Sequence, residues 1–219
     1  ALAADSRVSL VLVDDGSTDG TLDLLRTIER GTSRVTVIAL PRNRGKGEAV
    51  RAGLISATAA KTAWLGYLDA DMAAPASEIL RLLDVAVARP SVDVVLGSRV
   101  ALLGRDVQRS VLRHYTGRVF ATFASIVLAK AVYDTQCGAK LFRRTDAFDE
   151  AIVAPFRSRW AFDVELLGRL ESAGVEPPRY WEEPLLIWRD ISGSRRTLRA
   201  SVRATFELLP IWRDLRSSR

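Results

Sequence analysis

Two carboxylates one residue apart, Asp69 and Asp71, follow the apolar run Trp64-Leu65-Gly66-Tyr67-Leu68. The run reads as a buried strand, and side chains alternate along an extended backbone. Asp69 and Asp71 therefore leave the strand's carboxyl end on the same side. Carboxylates held that close repel each other unless a cation or hydrogen-bond donors compensate. Oxygen-only ligands with room for a phosphate suit Mg²⁺ or Mn²⁺. Read as structure alone, the segment is a surface turn in which Asp71 caps a helix starting near Pro75.

Three further stretches carry chemistry of a compatible kind. Residues 8–13 form an apolar strand ending at Asp14-Asp15-Gly16-Ser17-Thr18-Asp19-Gly20-Thr21. A strand-end carboxylate such as Asp15 can accept hydrogen bonds from a base or ribose. Residues 35–39 form the next strand, which runs into Pro41-Arg42-Asn43-Arg44-Gly45-Lys46-Gly47-Glu48 and a helix over 47–59. Glycines, arginines and a lysine ahead of a helix N-terminus make a phosphate site. The loop is not a Walker A motif, because Lys46 is not followed by Ser or Thr. No GxGxxG follows the first strand, which argues against a dinucleotide-binding domain. A fourth strand, 92–96, ends at Gly97-Ser98-Arg99.

These residues need elements to hold them. A helix over 21–30, a helix with apolar spacing over 79–87, and strands between them alternate at an interval that predicts an α/β fold with a mainly parallel sheet. In such sheets the site lies outside the carboxyl ends of the strands. Asp14, Asp15, the 42–46 loop, Asp69, Asp71 and Arg99 fall there together.

Composition bounds the rest. The 219 residues are 48% hydrophobic, enough for one sizeable core. No stretch approaches the ~18–20 consecutive apolar residues of a membrane span, and no signal peptide opens the chain. The lone Cys137 excludes an internal disulfide and, lacking a partner base, reads as a packing residue rather than a nucleophile. The net charge of +6 is carried almost wholly by arginine, the lysines being Lys46, Lys61, Lys130 and Lys140. Arginine suits phosphate contacts on nucleotides, lipid phosphates and anionic membranes. No nucleic-acid-binding motif is present, so no nucleic-acid partner is expected.

The Asp14–Thr21 run, Asn43-Arg44-Gly45-Lys46-Gly47, Leu68-Asp69-Ala70-Asp71 and Gly97-Ser98-Arg99 resemble, in order, family 2 glycosyltransferases. Asp134-Thr135-Gln136-Cys137-Gly138-Ala139-Lys140-Leu141-Phe142 and Trp160-Ala161-Phe162-Asp163-Val164-Glu165-Leu166-Leu167 look like the dolichyl-phosphate glucose and mannose synthase branch. The resemblance covers roughly residues 8–194. It implies a GT-A fold of the nucleotide-diphospho-sugar transferase type, a mainly parallel twisted sheet flanked by helices. It also implies a UDP- or GDP-hexose donor, a divalent metal (Mg²⁺ or Mn²⁺), inversion at the anomeric carbon and a polyprenyl-phosphate acceptor.

Carried over by residue, the resemblance implies that Asp15 contacts the nucleotide base while Asp14 supports its loop. Arg44, Lys46 and Arg99 join the nucleotide-sugar site. Asp69 lies near the ribose and metal, and Asp71 binds the metal that bridges the diphosphate. Asp134, Gln136 and Lys140 face the acceptor and sugar subsites, and Asp163 is a candidate base or sugar-binding residue. Two departures stand out. The strand and Pro-x-x-Asn-Glu loop with which the family begins are absent from this sequence. Ala73 and Ala74 stand where a polar residue often assists the metal.

Three later stretches complete the reading. In 105–130, Arg105, Arg109, Arg113 and Arg118 punctuate an apolar pattern, which predicts one or two amphipathic helices packed on the sheet or lying on a membrane surface. Glu182-Glu183-Pro184 introduces a strand over 185–188, followed by an arginine-rich 189–196 loop able to close over diphosphate. An amphipathic helix over 199–216 is kinked or broken at Pro210. The expected organisation is one GT-A domain, with a nucleotide-binding half over 1–100, an acceptor-binding half over 101–197 and the terminal helix over 198–219. The expected place is cytoplasmic, peripheral at the inner face of a membrane. Rival readings are a soluble family member acting on a small molecule or saccharide, and a nucleotide-sugar-binding module without transfer activity.

Overall fold

A computed structural model describes residues 2–108, 111–190 and 205–217, with the backbone alone at 111–113. The first unit is β1 (Leu10–Asp14), α1 (Thr21–Gly31) and β2 (Val35–Ala39). β1 and β2 pair in parallel, from Leu10 opposite Val35 to Asp14 opposite Ala39. Gly16 turns the chain after β1 at φ 69°, where a Cβ would meet the Arg42 backbone at 2.5 Å. Then come α2 (Lys46–Thr58), β3 (Trp64–Leu68), α3 (Ala76–Val87) and β4 (Val94–Ser98).

The sequence predicts a mainly parallel sheet, and among the described strands three of the five ladders are parallel, β6 alone running the other way. After β4 come β5 (Asp106–Gln108), α4 (Val111–Leu128), β6 (Ala139–Arg143), α5 (Asp146–Val153), α6 (Phe162–Ser172), β7 (Tyr180–Pro184), β8 (Ile187–Arg189) and α7 (Leu208–Ser217). The four-stranded sheet has the order β3-β6-β4-β7. β6 runs antiparallel to both β3 and β4, whereas β4 and β7 are parallel. The cause is visible in one contact: Arg99, just after β4, is bonded to Asp134, just before β6. The chain leaves and re-enters the sheet at the same end, so β6 has to descend. β5 and β8 make a separate two-stranded parallel pair.

Alternation along the strands divides the core between the sheet's two faces. Leu65, Val94, Leu96 and Phe142 pack with residues of α2, α4, α5, α6 and α7, while Val95, Ala139 and Leu141 pack with Leu82 and Ala86 of α3 and with Leu185 and Trp188. β1 is hydrogen-bonded to β2 and β3 to β6, and α2 packs against both β1 and β3. β1 and β3 are not paired with each other.

Several boundaries differ from the sequence expectation. Residues 105–108, expected to begin an amphipathic helix, contain β5, held by its ladder to β8. Glu182 and Glu183, read as a lead-in, lie inside β7. β7 ends the order of the four-stranded sheet, where charged residues and a proline are tolerated. The arginine-rich loop lies outside the described residues from 191 onward, as do Arg109 and the start of the terminal helix. Pro210 sits in the first turn of α7, where a missing N–H leaves no helical bond unmade.

Candidate active site

Four strand ends and the start of α6 build one network. β1 delivers Asp14 and Asp15. The Asp15 carboxylate accepts the Arg44 amide at 2.7 Å and the Gly45 amide at 2.8 Å, so the first loop holds the second. Asp14 is buried, accepts the Ser17 amide at 3.1 Å and keeps its other oxygen buried without a partner. The Arg44 side chain is exposed. Arg159, from the loop before α6, donates to Asn43 and packs on Gly45, tying this region to the rest of the site.

Lys46 opens α2 and reaches across to β3, its Nζ lying 2.6 Å from Asp69 Oδ1 and 5.8 Å from the ring centroids of Trp160 and Phe162. The Asp69 amide donates to the Gly138 carbonyl at 2.8 Å. Gly138 has to be glycine, because a Cβ there would run into the Asp69 carboxylate. Asp71 is exposed and accepts the Ala73 amide at 3.0 Å. It therefore closes its own turn rather than capping α3, whose cap position is Pro75. The repulsion expected between Asp69 and Asp71 is met by Lys46 on one and a backbone N–H on the other.

Beyond these bonds both carboxylates keep free acceptor capacity, an oxygen-only pair of the kind that holds Mg²⁺ or Mn²⁺ together with phosphate oxygens and water. Among the described residues no three or more His, Cys, Asp or Glu gather as a metal cluster.

Two buried ion pairs lie beyond, Arg99 with Asp134 and Lys140 with Asp163. Arg99 grips Asp134 through Nε at 2.6 Å, Nη2 at 2.7 Å and its own backbone amide at 3.1 Å. Burial alone would weaken the guanidinium's charge, but Asp134 outweighs it and holds the proton more firmly than usual. Asp134 also accepts the Gln136 amide at 3.2 Å, while Gln136 Nε2 is buried with no partner. Lys140, 1% exposed, donates to Asp163 at 2.6 Å and to the Cys137 carbonyl. The Tyr67 hydroxyl donates to the same Asp163 oxygen. Burial first, and the Asp163 charge second, push the Tyr67 phenol well above its ordinary range. Burial, reinforced by Asp134, pushes the Cys137 thiol up to about 12, so it stays protonated and packs.

The structure thus brings Asp15 to the 44–45 backbone, Lys46 to Asp69, Asp134 to Arg99 and Lys140 to Asp163. It does not pair Asp134 with Asp163. Sequence reasoning missed Tyr67, although it stands two positions before Asp69 on the same side of the strand, and period-two alternation was signal enough. It also missed Arg159 and Trp188, whose ring centroid lies 5.1 Å from the Arg99 guanidinium. Both come from loop and edge segments whose position depends on tertiary packing.

Comparison with known proteins bears on the family and the fold. Residues 2–149 match the family described as Glycosyl transferase family 2. Dolichyl-phosphate beta-glucosyltransferase of Dictyostelium discoideum is 31% identical over 192 residues, covering 85% of this chain and 56% of that protein. The protein of the same name from Mus musculus is 34% identical over 197 residues, covering 85% of this chain and 57% of its own length. The chain spans a little over half the length of the curated relatives it matches. Among solved structures, glucosyl-3-phosphoglycerate synthase from Mycobacterium tuberculosis in complex with phosphoglyceric acid superposes with a TM-score of 0.64 at 17% identity, over 94% of this chain and 68% of that one. At that identity the likeness speaks to the fold, which is GT-A. The chain belongs to the family 2 glycosyltransferases.

Proposed function

We propose that the chain is a single GT-A domain that moves a hexose, with inversion, from a nucleotide sugar to a polyprenyl phosphate. The observation that carries the choice of acceptor is the state of Asp163. That carboxylate is 3% exposed and one of its oxygens accepts from both Lys140 and Tyr67. A saccharide hydroxyl needs a base to take its proton, and Asp163 is committed to holding two side chains in place. A phosphate monoester is already anionic near neutral pH and attacks without one, so positioning and electrostatics suffice.

In this reading Asp69 and Asp71 hold Mg²⁺ or Mn²⁺ with the donor diphosphate. When bound, the cation neutralises charge on the departing diphosphate. Asp14, Asp15 and Arg44 serve the nucleoside side, and Lys46 stands by the phosphates. Gln136, with its unpartnered buried amide, faces the sugar. The phosphate oxygen of the acceptor forms a bond to the anomeric carbon as the bond to the nucleoside diphosphate breaks. Lys140 and Arg99, each fixed by a buried carboxylate, supply oriented positive charge on that side. The names of the relatives support a glucosyl donor and a dolichyl-phosphate-like acceptor.

A membrane surface as partner is supported by α4. Its inward face buries Phe120, Ala124 and Leu128, yet Tyr115, Val119, Phe123 and Ile126 line an outward face at 66%, 56%, 47% and 63% exposure. No helix among the described residues is long and apolar enough to cross a membrane. Flotation with anionic vesicles tests this contact, and failure to float rejects it.

The acceptor is tested by offering UDP-glucose and GDP-mannose with Mn²⁺ to polyprenyl phosphate, to unphosphorylated polyprenol and to free saccharides. Transfer to the phosphate alone is expected. Transfer to a hydroxyl acceptor overturns the reading in favour of the soluble rival. Donor binding without transfer to any acceptor favours the binding module.

A further inference from the structure

One carboxylate beside the acceptor-side loop has no part in the chemistry above. Glu182 stands on β7 opposite Leu96 of β4. Its Oε2 accepts the Tyr133 amide at 2.9 Å and its Oε1 accepts the Asp134 amide at 2.7 Å. Tyr133 is held a second time from α4, where Arg118 donates to its carbonyl at 2.7 Å and lies 3.9 Å from its ring centroid. Asp134 in turn spends its carboxylate on Arg99. A line of contacts therefore runs from the strand β7, through two consecutive amides, to the ion pair at the end of β4. An ionised carboxylate has two acceptor oxygens and no donor hydrogen, which is what two neighbouring amides require.

We propose that Glu182 is a positioning residue for glycosyl transfer: by gripping the Tyr133 and Asp134 amides it sets where Asp134 and Arg99 stand. This rests on the reading of Arg99 and Asp134 as parts of the transferase site. Glu182 also forms part of the wall of a cavity of about 340 Å³, with Leu128, Lys130, Leu167 and Tyr180 among its neighbours. Burial, with Asp134 adding to it, pushes the Glu182 carboxyl above its ordinary range, while the two amides and Arg118 oppose the shift. Lys130 and Tyr180 are the other titratable groups on the cavity wall. A proton on Glu182 adds a donor and blocks an acceptor, so one amide loses its partner.

The test compares the wild-type chain with Glu182→Gln and Glu182→Ala by amide hydrogen exchange and by transfer kinetics across pH. Glutamine preserves shape and one acceptor oxygen, and alanine preserves neither. Protection of the Tyr133 and Asp134 amides is expected to fall about tenfold in the Gln variant and further in the Ala variant, the scale of one lost net hydrogen bond. The kcat for transfer falls with it, while KM for the nucleotide sugar is unchanged. If the Ala variant does not fold, the Gln variant decides. Unchanged protection of both amides in a folded Gln variant overturns the proposal, whatever happens to activity. Lost protection with unchanged kcat also overturns it, and leaves the transferase reading standing. If the wild type transfers nothing, the transferase reading fails, and the role in transfer fails with it; exchange still decides whether Glu182 holds the loop.

Discussion

The β1–β2 unit and the four-stranded sheet are built to different standards. In β4 all five residues are buried, whereas in β1 only Asp14 is, and α1 buries none. Leu24 and Ile28 of α1 remain 62% and 41% exposed. The proposed acceptor side has Lys140 and Asp163 sealed inside as a buried pair. The proposed donor side hangs on a two-stranded ladder, the contacts of α2, and loops that hold one another through Asp15. Elements with few buried apolar contacts open most readily, and ligands that bind the closed form order them. If the proposed donor and acceptor sites are where the residues suggest, the two substrates meet regions of unequal burial.

That contrast can be broken by experiment, beginning where the effect is largest. Phe142→Ala removes a fully buried ring stacked on Phe148 at 5.3 Å and on Tyr67 at 6.3 Å, and should cost ~3–5 kcal/mol. Leu24→Ala on α1 should change stability by less than about 0.5 kcal/mol. Urea unfolding measures both, and similar losses would erase the distinction. Lys140→Met strands the Asp163 carboxylate in the core and should cost about 3 kcal/mol; pairing it with Asp163→Leu should recover much of that loss. A nucleotide sugar with Mn²⁺ at a hundredfold excess over its Kd should stabilise by about 2.7 kcal/mol. The gain in exchange protection should concentrate in β1, β2 and their loops. Uniform protection across β4 and β6 would contradict an unequal site. Gly138→Ala displaces Asp69 and should cost ~1–3 kcal/mol, while weakening donor binding in a titration.

The smallest effects are those of pH, and the two regions differ in sign. Asp5, ahead of β1, is lowered to about 2 by its hydrogen bonds from Arg7. A depressed carboxylate contributes stability above its unfolded value near 3.8, lost as pH falls toward 2. Glu182 is raised by burial, so its contribution is full below its unfolded value of 4.5 and is lost as pH rises through its folded value. Unfolding of Asp5→Asn and Glu182→Gln as a function of pH should therefore diverge in opposite directions. A common direction would refute the assignment.

Which parts of this were readable in advance follows from where information lies along the chain. β2 and β3 were readable to the residue, because apolar runs bounded by Pro or Asp mark buried strands. Asp69 and Asp71 were singled out by their place after an apolar run, but β3 ends at Leu68 and a turn closed by the Met72 amide on the Asp69 carbonyl follows, so strand alternation does not decide where Asp71 points. The antiparallel course of β6 was not readable, since Ala139–Arg143 looks alike in either direction and the deciding contact, Arg99 with Asp134, spans 35 positions. The partners of Lys140 and Asp163 were hidden for a similar reason. Both residues were singled out, but an apolar strand surrounding a lysine does not say which carboxylate will reach it.

The place of β6 has a consequence for how the molecule assembles. β3 and β4 are consecutive strands in the chain, yet the strand that joins them is made tens of residues later, pairing Trp64 with Arg143 and Val94 with Phe142. Until that strand is made, β3 and β4 lack the strand that hydrogen-bonds to both. Pairing them directly would close a short loop early, and the register would then have to be undone to admit β6. The loop carrying Asp134 and Gly138 immediately precedes this late strand. The four-stranded sheet, whose β4 is buried along its whole length, is therefore not complete until the later strands β6 and β7 have been made.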